Sequence, residues 1–493
     1  MIRDGFCEVL ACGGFAVAFI LLFFAGEYLR RVRRWPPEVT RKLIHLVGCL
    51  IAMLFPVFLS FWSVLALCIS FALILLISQR INLLHAVNDV ERSRDSMGGV
   101  AHPLAILGCF LWAGALHRMV FYEIAMLVLA ISDSSAALTG TKYGQTKYQV
   151  EGNSRKSIEG SVVFSLTTFL IVEIMLLLCT DLTRIDCILV AVWVAILVTV
   201  FEAISLHGSD NLIIPLGTVF ILWKNMSPST PELIVQLAVL AITFITLAIM
   251  AFPYHKISIL SGVFESGLVI YSAWGLLDLS WAIPVFAASW LLFRTDWFMR
   301  NPENKEDAPR VRTTFYYMIV PTVWFLSANL LWRLTEGGKP PLPDFSAAIA
   351  EYLKGAPPKT LLFYPGFLVA LVGQLFLSRQ KVRADSGKPG SLPRRIADAV
   401  LLLAAFHLIS LPIFWDPRFN DRGLPFHLDA WIDGGAFALL TVIVLAVLYR
   451  PLFSRLEALP RKWEPRLRMA FILLLSGFPV LAMFLRNGGK VFQ

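Results

Sequence analysis

A polar segment in the apolar N-terminal half carries residue types suited to binding phosphate. It reads ISDSSAALTGTKYGQTKYQVEGNSRKSIEGS, from Ile131 to Ser161. Asp133 stands inside an apolar run, where an ionisable group is costly and indicates a functional site. Gly140 and Gly144 permit a tight turn or a close approach of the backbone to a ligand. Lys156 and the residues after it lead into an apolar helix, and a helix N-terminus with a nearby cation commonly binds phosphate.

This segment supplies most of the candidate phosphate-binding residues. They are Gly140, Gly144, Lys147, Lys156, Ser157, Glu159, Gly160 and Ser161. The segment is not a Walker A loop, because Arg155 stands before Lys156 where that motif requires a glycine. The alternative is that Arg155 and Lys156 are basic anchors at the membrane surface and that Asp133 pairs with one of them.

A second polar cluster, FEAISLHGSDNLIIPL, follows about 40 residues later. Glu202 ends one apolar run, and Asp210 and Asn211 stand just before the next. Carboxylate and amide oxygens are the ligands that Mg²⁺ prefers, usually as one or two carboxylates together with substrate phosphates. The alternative for an Asp-Asn pair in this position is a helix cap.

A third cluster, RKLIHLVG, contains Arg41, Lys42 and His45 at the start of an apolar run. Residues four apart share one face of a helix, so Arg41 and His45 can point at the same anion. The alternative is a basic anchor at the membrane surface with a polar neighbour.

The elements that position these clusters are membrane-spanning helices. The chain has 493 residues, of which 57% are hydrophobic and 16% are charged, too little polar surface for a soluble globule of this size. Apolar runs long enough to cross a bilayer recur throughout and predict an all-α, polytopic helical bundle of about 16 spans. Composition changes near residue 250, which favours two modules, 1–250 and 251–493.

Charge and cysteine content exclude other classes of protein. The net charge of +9 comes from basic residues in short loops, which is typical of cytoplasmic loops and does not indicate nucleic-acid binding. The same rule places the loops with Arg41, Lys156 and Asp210 in the cytoplasm. All seven cysteines lie in the first 190 residues without CxxC or Cys/His ligand spacing, so we expect core residues and neither disulfides nor zinc ligands.

Four motifs together resemble a known family. RKLIHLVG, SDSSAALTGTKYGQTK, KSIEGSVVF and EAISLHGSDNLIIPL occur in the order and spacing of the polyprenol kinase family, over about residues 35–225. That family includes phytol, farnesol and dolichol kinases and is related to phosphatidate cytidylyltransferase. This chain departs from it after Asp133, where Ser134 replaces the proline that the family tends to have.

The resemblance implies transfer of the γ-phosphoryl group of CTP, or of another nucleoside triphosphate, to the hydroxyl of a lipid alcohol. It implies that Lys156 neutralises phosphate oxygens and that Asp133 and Asp210 hold Mg²⁺. Glu202 is then either a further metal ligand or the base that accepts the hydroxyl proton. Two alternatives stay open: a cytidylyltransferase that releases pyrophosphate, and a lipid transporter with a path along Asp133, Glu202 and Asp210.

Overall fold

A computed structural model of the protein describes most of the chain. The described residues are 5–80, 98–151, 154–205, 208–226, 229–251, 260–277, 279–294, 311–336, 358–385, 390–415, 427–456 and 464–486. The backbone forms two compact units, Met1–Leu233 and Ile234–Gln493. The sequence analysis placed this division near residue 250, beside residues 252–259, which lie outside the described ranges.

Long helices make up the first unit, together with one β-hairpin in its described part. Its helices are α1 (Gly5–Arg31), α2 (Pro37–Met53), α3 (Phe55–Phe58), α4 (Phe61–Arg80), α5 (Gly98–Ala115), α6 (Met119–Leu127), α7 (Asp133–Tyr143), α8 (Ile158–Cys179), α9 (Arg184–Ile204) and α10 (Asp210–Asn225). A π-helical turn, Val128–Ser132, joins α6 to α7, and the hairpin strands are β1 (Lys147–Glu151) and β2 (Ser154–Ser157). Helix α11 (Thr230–Ala251) begins in this unit and continues into the second.

Local sequence signals fix several helix ends in the first unit. Proline at the first position of α2 is compatible with a helix start, because the N–H that proline lacks would have no partner there. The side chain of Ser157 caps α8 by accepting a hydrogen bond from the Gly160 N–H at 3.1 Å. Thr183 caps α9 in the same way, with a 3.2 Å bond from the Asp186 N–H.

The core of the first unit centres on α9 and α10. Helix α9 packs against α8 and α10, and α10 packs in turn against α5 and α6. The indole of Trp193 on α9 and the phenol of Tyr122 on α6 are fully buried. This arrangement brings the ends of α2, α7, α9 and α10, which carry the three polar clusters, into one unit.

The second unit is helical in its described residues. Its helices are α12 (Leu260–Leu276), α13 (Leu279–Arg294), α14 (Val311–Glu336), α15 (Tyr364–Asp385), α16 (Leu392–Ile409), α17 (Leu428–Leu456) and α18 (Glu464–Arg486), with 3₁₀ turns at Pro358–Phe363 and Leu411–Phe414. Helix α15 is central, since it packs against α14, α16, α17 and α18. Gly366 and Gly373 permit this, because a Cβ at either position would lie within 3.0 Å of a neighbouring helix.

Membrane-spanning helices dominate both units. Ten helices of the described chain are long and apolar enough to cross a bilayer, and three shorter apolar helices accompany them. The prediction of an all-α polytopic fold is therefore confirmed, while the number of about 16 spans stays a prediction. Helix α10, at 16 residues, is shorter than a typical span.

The hairpin is the main departure from the predicted loop between Ile131 and Ser161. Its antiparallel strands pair Lys147 with Ser157 and Tyr148 with Lys156. Tyr148 is buried, and its hydroxyl lies 2.9 Å from Ser161 Oγ at the start of α8. The hairpin is therefore anchored to α8, and it holds Lys156 at a defined position.

Candidate active site

Asp133 lies at the start of α7 and is paired with the entrance of α2. Its Oδ2 accepts an ion-paired hydrogen bond from Lys42 Nζ, and both side chains are buried. His45 Nε2 lies 3.7 Å from the same oxygen. Lys42 and His45 are three apart on α2 and share a face of that helix. The buried carboxylate thus has a cation beside it, as a buried charge requires.

The π-helical turn sets the direction in which Asp133 points. The turn, Val128–Ser132, immediately precedes Asp133, and four of its five residues are buried, the exception being Ile131. One extra residue in a helical turn rotates everything after it by about 100° relative to a continuous α-helix. Such single turns occur frequently at functional sites.

Lys156 binds the end of α9. Its Nζ donates to the Glu202 carboxylate at 2.7 Å and to Ser205 Oγ at 2.9 Å, and it also bonds the Glu202 backbone carbonyl. The second carboxylate oxygen of Glu202 accepts from Ser161 Oγ at 3.4 Å. Lys156 therefore connects the hairpin to α9, and Asp133 pairs with Lys42 rather than with Arg155 or Lys156.

Asp210 is the first residue of α10 and lies near three cations. Burial raises the pKa of its carboxyl group, but the charges of Lys42, Lys156 and Arg41 lower it by more, so its pKa is below the usual value. The carboxylate also accepts the N–H of the next residue, Asn211, at 3.0 Å. Asp210 is thus held in its ionised form near the cations of α2 and β2.

Glycine shapes the chain on both sides of the site. Gly208 has a φ of 83°, a left-handed conformation that a residue with a side chain rarely adopts, and this turn leads into α10. A Cβ on Gly144 would lie 2.3 Å from the Gly140 carbonyl and 2.7 Å from Ser157 Cβ. Gly140 and Gly144 therefore allow the end of α7 to approach β2. The atoms that a Cβ would meet at either position belong to the protein itself.

Several predicted phosphate-binding residues have structural contacts. Ser157 and Gly160 form the N-terminal cap of α8. Glu159 accepts a hydrogen bond from the Thr146 backbone at 2.9 Å, and Lys147 is exposed on β1. Asn211 follows Asp210 at the start of α10 and donates its N–H to that carboxylate. The structure brings together the other predicted residues in two linked groups. These are Arg41, Lys42, His45, Asp133 and Asp210, and Lys156, Ser161 and Glu202.

The sequence analysis missed Ser205 and Tyr148. Ser205 lies three residues after Glu202, so one helical turn presents both to Lys156. Tyr148 alternates with exposed Lys147 in β1 and faces inward. The alternation of polar and apolar residues from Lys147 to Glu151 was the available signal for a strand.

A comparison with known proteins identifies the family. The chain is 33% identical to the phytol kinase of Synechocystis sp. over 217 residues, which cover 43% of this chain and 90% of that relative. The chain belongs to the polyprenol kinase family. No family model and no solved structure matches it. Because nine-tenths of the relative corresponds to less than half of this chain, this polyprenol kinase family member carries a long additional region.

The carboxylates of this family member have the donor chemistry that Mg²⁺ needs. Asp133 and Asp210 offer hard oxygen ligands, whereas both oxygens of Glu202 have partners in Lys156 and Ser161. Within the described residues, Asp133, Glu202 and Asp210 do not form a three-carboxylate cluster. The usual Mg²⁺ site in proteins has one or two carboxylates together with substrate phosphates.

Proposed function

We propose that this chain is a membrane-embedded kinase that transfers the γ-phosphoryl group of CTP to the hydroxyl of a long-chain isoprenoid or similar lipid alcohol. The proposed acceptors are of the phytol, farnesol or dolichol type. The relative's name, phytol kinase, supports a lipid alcohol as acceptor and phosphoryl transfer as the reaction. CTP as donor follows from the family resemblance of the four motifs.

The observation that carries this proposal is the meeting of Arg41, Lys42 and Lys156 near Asp210. The three cations come from α2 and β2, and two of them are held by carboxylates, Lys42 by Asp133 and Lys156 by Glu202. A nucleoside triphosphate supplies the negative charge that such a group attracts. Phosphoryl transfer depends mainly on positioning and charge stabilisation, which lysines and arginine at fixed positions provide.

Each site residue has a role in this reaction. Lys42, Lys156 and Arg41 bind the phosphate oxygens, and Asp133 and Asp210 hold Mg²⁺. The metal, when bound, neutralises charge on the β- and γ-phosphate oxygens. The bond from the γ-phosphorus to its bridging oxygen breaks as the lipid oxygen bonds to that phosphorus, and the hydroxyl proton leaves to a base. Glu202 is the candidate base, or else a further metal ligand.

Labelled nucleotide distinguishes the candidate reactions. Purified full-length protein is incubated with phytol, farnesol, dolichol or diacylglycerol and with CTP labelled at either the α- or the γ-phosphate. We expect label from the γ position alone in the lipid, with CDP as the second product. Phytyl acetate, which lacks the free hydroxyl, is the matched control and should accept none.

Other outcomes favour the alternatives. Label from the α position in the lipid, with release of pyrophosphate, would show a cytidylyltransferase. If the protein turned over no nucleotide with any of these lipids, a transporter would be the better hypothesis. Competition by ATP, GTP and UTP at equal concentration tests the choice of CTP, which we expect to be preferred.

A further inference from the structure

Three potential metal ligands lie together beside the Lys42–Asp133 pair. His45 and Cys49 are four residues apart on α2, and His102 comes from α5. One ligand atom from each lies within 4.8 Å of the other two. The rings of His45 and His102 are 4.5 Å apart between centroids, and Cys49 Sγ is 4.0 Å from His102 Nε2.

Two ring nitrogens in this cluster are buried without a hydrogen-bond partner. They are His45 Nε2 and His102 Nδ1. The side chain of His45 is only 9% exposed. Buried polar atoms in proteins nearly always have a partner, and an exception calls for a specific explanation such as an ion.

The tautomer of His45 suits a metal ligand. Its ring is hydrogen-bonded to the backbone of Leu129, and because Nε2 has no hydrogen bond, the contact is made through Nδ1. An Nδ1–H that donates to a carbonyl leaves a lone pair on Nε2. Metal-binding histidines are usually oriented in this way by a carboxylate or a backbone carbonyl. Leu129 lies in the π-helical turn, whose wider hydrogen bonding alters the usual pairing of carbonyls.

We propose that His45, Cys49 and His102 form a binding site for a soft divalent transition metal, of which zinc is the representative. Two imidazoles and a thiolate are typical zinc ligands, whereas Mg²⁺ prefers oxygen. In tetrahedral coordination with bonds of about 2.0–2.3 Å, ligand atoms lie about 3.3–3.6 Å apart. The three atoms lie within 4.8 Å of one another, so they need to approach by up to about 1.5 Å, which shifts of side chains provide.

The fourth position faces Asp133. Its Oδ2 is 3.7 Å from His45 Nε2, so this carboxylate can orient a water bound to the metal. Cys49 releases its proton on binding, because the thiolate is the ligand. The sequence analysis assigned His45 to phosphate and expected no zinc ligand among the cysteines. The third ligand is 53 residues from Cys49 along the chain, which no local spacing shows.

The test measures metal binding and does not depend on kinase activity. Purified full-length protein in detergent is stripped with a chelator, and Zn²⁺ binding is measured by competition with a chromogenic chelator. We expect one Zn²⁺ per chain. Cys49→Ala and His102→Gln should each weaken binding more than about tenfold, since even residues outside the first ligand shell contribute that much. Cys187→Ala, a buried cysteine on α9 away from the cluster, is the matched control and should bind as the natural protein does.

Cobalt substitution tests sulfur ligation without any variant. Co²⁺ bound to a thiolate gives a charge-transfer absorption that oxygen and nitrogen ligands do not. The natural protein should show this band, and Cys187→Ala should keep it. Absence of the band in the natural protein, or equal Zn²⁺ affinity in Cys49→Ala, would overturn the proposal, even if kinase activity were demonstrated.

Discussion

Lys156 binds three oxygens of the α9 end through one ammonium group. A lysine ammonium has three donors, and the Glu202 carboxylate, the Glu202 carbonyl and Ser205 Oγ use them. A phosphate oxygen that reaches Lys156 therefore replaces one of these partners. Where the phosphate replaces the Glu202 carboxylate, that carboxylate loses its contact with Lys156, which links nucleotide binding to the proposed base.

Lys156→Met and Asp210→Asn test the site at the scale of single residues. Each should lower kcat/KM for lipid phosphorylation by at least about a hundredfold, because each removes a charge that acts on the phosphates or on Mg²⁺. Lys142→Met is the matched control, since this lysine is exposed at the end of α7. Initial rates with labelled CTP give the comparison. Near-normal rates in both site variants would rule out the assignment.

The hairpin and α7 show why single elements were only partly predicted. The segment from Ile131 to Ser161 was expected to be a loop, yet α7 extends to Tyr143 and the rest pairs as β1 and β2. The helix continues because Ala136, Ala137 and Leu138 favour it. The alternation of polar and apolar residues covers only the five residues of β1, and β2 is polar throughout and gives no such signal.

Partners distant in sequence were not predictable from the residues alone. The motif around Arg41 indicated a polar helix face, and Asp133 indicated a functional carboxylate, but their connection through Lys42 spans 91 residues. Which cation meets which carboxylate depends on how α2 packs against the π-helical turn and α7. The residue types of the site were therefore predictable, whereas its pairing depended on tertiary contacts.

The orientation of α8 in the membrane is a prediction at the scale of an element. We propose that the end near Ser157 faces the cytoplasm, so Cys179 at the other end faces outside. In a background with Cys7→Ser and Cys12→Ser, an impermeant maleimide should label Cys179 in intact cells. Adding Lys142→Cys should give extra label only after the cells are permeabilised.

Lys142→Ser in the same background is the control for that experiment. It retains Cys179 and lacks the added thiol, so any difference in label belongs to position 142. Extra label in intact cells would place the site outside the cytoplasm, where soluble CTP does not reach it, and would contradict both the topology and the choice of donor.

The two units of the whole molecule differ in what they contribute. The residues proposed to bind the nucleotide and Mg²⁺ all belong to the unit Met1–Leu233, and the relative matches less than half of the chain. The second unit has its own buried helix, α15, surrounded by four others. We propose that the second unit is dispensable for the chemistry.

Ending the chain after Ala251 tests this proposal. The shortened protein keeps α1 to α11 and all the site residues. In a monodisperse sample, its CTP-dependent phosphorylation rate per molecule should stay within about threefold of that of the full chain. This requires that detergent or lipid covers the exposed helix surfaces. The same shortened protein with Lys156→Met is the inactive control. If the shortened protein were monodisperse and yet transferred no phosphate, the second unit would supply substrate-binding or catalytic residues.

The π-helical turn before Asp133 has a consequence for tracing the ancestry of this chain. A turn of this kind corresponds to a one-residue insertion within a helix. Relatives without it would place the equivalent carboxylate about 100° around the helix, away from the α2 lysine, unless a compensating deletion restored the phase. Gaps in alignments of this segment therefore belong between Val128 and Ser132, and their presence or absence would date the insertion relative to the divergence of the family.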